Sequence, residues 1–240
     1  MYIKNITRWF LSFSPIKTIY FNFKYLPLKQ AWKLPVILEN VRLHSLKGEV
    51  FIDEDVIYTG MIRIGSPIMI NYWCPKKQSD IDLQGGRLVL HKGIKFGLGT
   101  HLRVHDNALL NIGRFVCSSS ELNLICYYKI LIGNSTKIGW DTIIMDTDYH
   151  PMHDMISGKL TKIYAPINIG NNCWFGTGCY VSKGCKIANG TTFAAHSVVR
   201  SSVTRENCIC AGNPAVIIEE GYRISEETFS YHPPVKKRAY

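Results

Sequence analysis

The sequence predicts an all-β fold: a parallel β-helix with an N-terminal cap segment and a short C-terminal helix. Three columns of residues predict it. Ile169, Phe175, Val181, Ile187, Phe193 and Val199 place a bulky apolar side chain at every sixth position. Four residues after each stands a small or medium one: Cys173, Cys179, Cys185, Thr191, Ser197 and Val203. Three residues after each stand Asn172, Gly178, Gly184, Gly190, His196 and Ser202, mostly turn formers. Such a period is neither the roughly 3.6 of a helix nor the bare alternation of a strand. It fits a short strand plus a turn. The small residue lies two before the next bulky one, so both face inward, and Gly or Asn tolerates the positive φ of the turn. Three units close one triangular coil, and coils stack about 4.8 Å apart, as strands do in a sheet.

The elements follow in order. Residues 1–45 form the cap segment. Lys4, Arg8, Lys17, Lys24, Lys29 and Lys33 stand there against Glu39, interleaved with Trp9, Phe10, Phe13, Tyr20, Phe21, Phe23 and Tyr25. Two roles suit residues 1–40: covering the open β-edge of the first coil, which is the preferred reading, or lying on an anionic membrane surface. Residues 46–214 form the β-helix. Ile132, Ile138 and Ile144 keep its phase, with Thr136 and Thr142 in the small slot. Val50, Val56, Ile62, Ile68 and Leu98, Val104, Leu110, Val116 keep the step less regularly upstream. Between Ile144 and Ile169 the beat breaks. The chain leaves the coil near Asp146 and returns near Pro166, so residues 146–166 read as an extruded loop. Residues 215–240 hold a helix candidate, IIEEGYRISEETF, and a basic tail, PPVKKRAY.

Composition narrows the function classes. The 240 residues are 46% hydrophobic, ordinary for a globular protein, and carry a formal charge of +10. A basic balance suits nucleic acid, an anionic membrane face or phosphorylated small molecules. No RNA-binding signature, zinc finger or basic heptad region supports nucleic acid. The eight cysteines include no CxxC pair, which argues against a structural zinc site. Cys173, Cys179 and Cys185 fall in the inward slot and read as core. With no secretory leader or spanning segment visible, the expectation is a cytoplasmic protein with reduced thiols, in peripheral contact with a membrane at most.

The loop opens with MDTDYHPMHD, residues 145–154, where three aspartates and two histidines crowd together. On residue types alone it could be a solvated loop, a metal site or a catalytic centre. Here a family likeness enters. INIGNNCWFGTGCYVSKGCKIANGTTFAAHSVV, followed by CAGNPA and preceded by the HPxH of the loop, resembles the hexapeptide-repeat acyltransferases. Within these the maltose, galactoside and nodulation-type acetyltransferases and the capsular polysaccharide O-acetyltransferases are the nearest in pattern. The likeness covers residues 130–218.

The resemblance implies a left-handed parallel β-helix, a homotrimer with sites between adjacent prisms, acetyl-CoA as donor, a sugar or glycan acceptor, and no metal. It makes His150 the general base that takes the proton of an attacking hydroxyl, a task histidine suits because imidazoles titrate near neutrality. Asp148 or Asp146 would orient the imidazole; Asp146 and His153 would lie near the acceptor. Trp174, Gly176, Thr177, Ala194 and Ala195 would line the donor groove. Arg200, or Arg205, would meet the nucleotide phosphates, although Ser201 stands where relatives often carry Lys. Asn213 and Pro214 would turn the chain out of the last coil beside the adenine. Three other readings compete. The acceptor could be an amino sugar. A zinc enzyme of the γ-carbonic anhydrase type could draw on His101, His105, His150, His153 and His196. Or the prism could be a non-catalytic scaffold, which would have no reason to keep the His150 loop.

Overall fold

The computed structural model describes residues 14–66 and 77–225. Among these residues two helices, α1 (Pro15–Tyr25) and α2 (Leu28–Ala31), precede a coil whose strands fall on three faces. The first face holds β1 (Val36–Leu38), β4 (Ile62–Ser66), β7 (Lys95–Gly97), β10 (Cys117–Ser118), β13 (Lys137–Ile138), β16 (Trp174–Phe175), β19 (Thr192–Phe193), β21 (Cys208–Gly212) and β22 (Ala215–Glu220). The second holds β2 (Val41–Leu46), β5 (Ser79–Leu83), β8 (His101–Val104), β11 (Asn123–Cys126), β14 (Ile143–Met145), β17 (Tyr180–Val181) and β20 (Val198–Val199). The third holds β3 (Glu49–Ile52), β6 (Arg87–Leu90), β9 (Leu109–Ile112), β12 (Lys129–Ile132), β15 (Ile167–Ile169) and β18 (Lys186–Ile187). The chain visits the faces in turn and pairs in parallel with the coil before it. We call the corner from first to second face the first corner, from second to third the second, and from third to first the third. On the last turn the third face shrinks to one bridge, Ile187 with Val203.

The periodic columns become the core. Ile138, Phe175, Phe193 and Cys210 are register partners up the first face, and the two Phe rings stack at 5.1 Å. Leu102, Leu124, Ile144, Val181 and Val199 run up the second face. Ile112, Ile132, Ile169 and Ile187 run up the third. All are buried, each such aliphatic side chain contributing about 1.5–3 kcal/mol.

The small slot has a polar task as well. Its side chain donates to a carbonyl at a corner of the next coil: Thr136 to Gly170 O (3.2 Å), Thr142 to Gly176 O (3.4 Å), Cys173 to Ala188 O (3.3 Å), Cys179 to Ala194 O (3.3 Å) and Cys185 to Val199 O (3.4 Å). These carbonyls lie at or beside the corners; the Ala188, Ala194 and Val199 oxygens also accept from Thr191, Ser197 and Ser182, so the buried hydroxyls and thiols add to the pairing of polar groups where the strands end. Burial pushes these thiols up, Cys173 to about 11, which keeps them protonated donors.

Two expectations need correction. Val56 is exposed: it lies in the irregular corner after β3. Many upstream strands are four or more residues long with two inward positions, as in Leu110 and Ile112 of β9, so an alternating pattern can be phased two residues out; Ile112, not Leu110, aligns with Ile132. Ile68 lies outside the described residues. The helix expected after Pro214 is also overturned. Ile217–Glu220 belong to β22, antiparallel to β21; the remainder of that candidate beyond residue 225 lies outside the described residues.

At the other end α1 covers the edge strand β1. Thr18, Phe21 and Asn22 are its buried face. The Asn22 amide donates to Val36 O (2.7 Å) and accepts from Val36 N (3.1 Å). Thr18 Oγ1 accepts from Leu38 N (3.1 Å), and Ser14 N donates to Leu38 O (3.1 Å). Helix side chains thus stand in for a missing strand.

Candidate functional site

Residues 146–166 leave the coil at the second corner, between β14 and β15. They form a hairpin-like arm closed by antiparallel bridges, Thr147 with Tyr164 and His153 with Leu160. Asp146 fixes its root. The side chain is fully buried, and its carboxylate accepts backbone N–H bonds from Tyr127 (2.6 Å), Tyr128 (2.9 Å) and Lys129 (2.6 Å) of the preceding coil. Burial pushes this carboxyl up, and the N–H groups only partly offset that. Its oxygens therefore face the protein, whereas the sequence suggested an acceptor contact or a partner for His150.

Asp148 N donates to Ile163 O at 2.8 Å, and the Asp148 carboxylate pairs with Lys183 on the next coil. Lys183 also donates to the carbonyl of Lys162, so one ammonium ties both strands of the arm to the prism. Tyr149 follows at φ 62°, a left-handed conformation costly for a bulky residue. Its N–H bonds Thr147 Oγ1 at 3.0 Å, and the His150 N–H returns to Asp148 O at 2.7 Å. Pro151 restricts residue 150 to extended conformations. The result is a tight turn that leaves His150 exposed. His153, also exposed, pairs through its backbone with Leu160, further along the arm.

Aromatic rings gather around this turn. His105 stacks on Tyr127 at 4.1 Å between centroids; Tyr127 meets Tyr149 edge-on at 5.9 Å and Tyr164 at 6.2 Å; Tyr128 lies 5.2 Å from Tyr164. This cluster was not anticipated from the sequence. One signal could have found it. Met145 registers with Ile125, so Asp146 aligns with Cys126 and the Tyr127–Tyr128 pair follows at the same corner.

The expected donor residues occupy other parts of the prism. Gly176 and Thr177 form the first corner after β16, and Ala194 and Ala195 form it one coil later. The corner is bare. A Cβ on Gly176 would lie 2.6 Å from Ala195 N, so only glycine lets these coils approach, and Gly178 (φ 69°) sits beneath the ring of His196. Among the described residues, the N–H groups of Thr177 and Ala195 donate no hydrogen bond, while those of Gly176, Gly178 and His196 bond Phe193, Trp140 and Thr177. Trp174 is half-exposed on the first face between Lys137 and Thr192. Asn213 and Pro214 make the turn between β21 and β22. Arg200 is exposed after β20, whereas Arg205 is engaged by Glu220 at 2.5 Å.

One chain does not bring the two groups together. The second face separates the corners: from Asp141 to Asp146 spans roughly 17 Å of strand. Asp148, bound to Lys183, and Tyr149, packed on Tyr127, hold the arm at the second corner.

The other histidines weighed for zinc are dispersed. His101 Nδ1 lies 2.7 Å from Asp80 on the second face, with Arg42 and His44 at 2.8 and 2.7 Å from the same carboxylate. Burial alone would raise Asp80; these partners overcome it and hold the carboxyl at about 2. Beside this cluster a groove of about 560 Å³ is lined by Arg42, His101, Glu121 and Asp141, among others. Among the described residues no three His, Cys, Asp or Glu side chains converge as metal ligands.

Comparison with known proteins matches residues 166–201 to the family described as Bacterial transferase hexapeptide (six repeats). The colanic acid biosynthesis acetyltransferase WcaF of Escherichia coli K12 is 33% identical over 111 residues, 46% of this chain and 58% of that protein. The galactoside O-acetyltransferase of Escherichia coli K12 is 27% identical over 111 residues, 46% of this chain and 54% of that protein. The chain thus spans just over half the length of these curated relatives. Among solved structures, the polysialic acid O-acetyltransferase OatWY superposes with a TM-score of 0.58 at 23% identity, covering 82% of this chain and 93% of that one. The shared architecture is the left-handed parallel β-helix of hexapeptide repeats.

Proposed function

We propose that this protein is an acetyl-CoA-dependent O-acetyltransferase acting by direct transfer on a hydroxyl of a glycan, or of its lipid-linked or nucleotide-linked precursor. The observation that carries this reading is a histidine held exposed by a fixed turn, next to Tyr149 of a tyrosine cluster, on a hexapeptide coil. The relatives named above, two of them by curated name, support acetyl transfer to sugars.

His150 is the general base. Its task is to accept the proton of the acceptor hydroxyl, a step that contributes about 10²- to 10⁴-fold. Tyr127, Tyr149 and Tyr164 offer aromatic faces and edges on which the C–H face of a pyranose packs. Acetyl-CoA, when bound, supplies the activated acyl group. The bare first corner suits it: Gly176 and Ala194 leave the backbone accessible, the N–H groups of Thr177 and Ala195 are free to donate to amide carbonyls, and Trp174 precedes the run on the first face, whereas Arg200, after β20, stands at the second corner with the arm. Asp146, Asp148 and Lys183 position the arm.

Because the arm and the bare corner stand apart in one chain, the complete site forms between copies, as a closed trimer would allow. The arm's apolar tip supports this. Met155 and Ile156 are 90% and 99% exposed, which costs free energy in an isolated chain and is relieved against a neighbour.

The test is acetyl-CoA turnover, followed with a thiol reagent, across neutral sugars, oligosaccharides and amino sugars. Hydroxyl acceptors should turn over, and His150→Ala should lose 10²- to 10⁴-fold of the rate. A His150→Ala protein with full rate removes the mechanism; turnover confined to amino sugars makes the chain an N-acetyltransferase.

A further inference from the structure

The helices that cap the coil have a second face. Ile16, Ile19 and Tyr20 lie along the side of α1 opposite the buried Thr18, Phe21 and Asn22, and all three are exposed. Leu28 and Trp32 continue the surface from α2, and the Phe23 and Trp32 rings meet at 5.1 Å across the two helices. Ile16 is 82% exposed and Trp32 75%. Large apolar side chains at such exposure are not doing the capping, which the other face already does.

Charge identifies what covers them. From Ser14 to Leu38 the sequence holds no acid and four lysines. Lys17 bonds Val41 O at 2.7 Å, but Lys24, Lys29 and Lys33 are exposed beside the apolar strip. The first acid, Glu39, is buried and paired with Arg63, so it does not neutralise this end. Exposed Ile, Leu, Tyr and Trp flanked by lysines match the interface of an anionic bilayer, where apolar tips enter the headgroup boundary, aromatic rings sit at its level and ammonium groups meet lipid phosphates. A protein partner would need an acidic apolar surface of complementary shape; a lipid surface needs only this composition. No helix among the described residues is long and apolar enough to cross a membrane, so the contact is a surface one.

We propose that the α1–α2 end of the prism docks on anionic phospholipid, placing the coil end-on against the membrane and leaving its sides open for association between copies. This does not depend on the catalytic reading.

The experiment is flotation of the full chain with phosphatidylcholine vesicles prepared with and without phosphatidylglycerol. The protein should float with the anionic vesicles, and high salt should weaken binding. Ile16→Ser combined with Trp32→Ser should reduce partitioning about tenfold or more, since binding scales with buried apolar area. Lys24→Gln with Lys29→Gln and Lys33→Gln should reduce it on the order of 100-fold, about fivefold per lysine. Failure to float with either vesicle, or flotation of the Ile16/Trp32 variant equal to the wild type, overturns the proposal. So does a drop in the solution mass of the Ile16/Trp32 variant, which would make the surface a contact between copies.

Discussion

Asp146 shows how one residue type serves two readings. In the sequence it is one of three aspartates near a histidine, and a carboxylate beside an imidazole invites a catalytic role. In the structure its oxygens collect the N–H groups of Tyr127, Tyr128 and Lys129, which have no strand partner where the coil opens. The exposed arm that carries His150 was legible because the six-residue beat breaks there; the role proposed for its imidazole rests on residue type and the HPxH pattern. The positions of Asp146 and Asp148 were not, because burial and an ion pair to Lys183 depend on which coil lies above and below. The consequence is measurable. Asp146→Ala leaves those donors buried without an acceptor, at about 1–3 kcal/mol each. Thermal unfolding should fall by roughly 6–12 °C for a loss of about 3 kcal/mol. Acetyl transfer should fall more steeply than the folded fraction, with His150 displaced while the coil persists. A variant with wild-type melting and wild-type rate would show that the root of the arm needs no anchor.

Among whole elements, the coil was legible, the N-terminal cap was legible as a role but not in its construction, and the C-terminal end was not. The six-residue beat survives because each inward slot is filled by one residue of the local repeat, whatever the neighbouring coils contain. An end has no such repeat. Ala215–Glu220, of which Ile217–Glu220 were read as the start of a helix, extends the first face as an antiparallel strand, because Val216, Ile217 and Ile218 are β-branched and the outer edge of β21, away from β19, offers them a ladder. At the N-terminus the sequence supported a cap but not its construction, in which Asn22 reproduces both hydrogen bonds of a strand residue. Asn22→Ala should expose both polar groups of Val36 to an unmet, buried environment, costing about 2–4 kcal/mol. Hydrogen exchange should show the loss as faster opening confined to β1 and its neighbours, because a coil transmits stability mainly to adjacent turns. Uniform loss of protection across all coils, or none at β1, would contradict the edge-capping role of α1.

For the molecule as a whole, the decisive fact is that the arm and the bare corner sit on different edges of the prism. The sequence implied a site between prisms only through its likeness to a family, since no spacing within one chain reveals which edges will meet. In the structure, the pinning of Asp148 and Tyr149 at the second corner holds His150 away from the first corner of its own chain. If sites form between copies, two inactive chains can repair one another. On the proposed mechanism, His150→Ala lacks the base but keeps the corner. Ala195→Trp keeps His150 and, from an exposed position, would fill the proposed donor groove. Each alone should be inactive as a uniform oligomer. Co-expressed in equal amounts, they associate at random in a closed ring, and a site works when an intact arm from one chain faces an intact corner from the next. That occurs at about one quarter of the interfaces, so the mixture should recover about a quarter of the wild-type rate. Sites completed within single chains predict no recovery at any mixing ratio, and mixed oligomers verified by mass but lacking activity would place the base and the groove on the same chain.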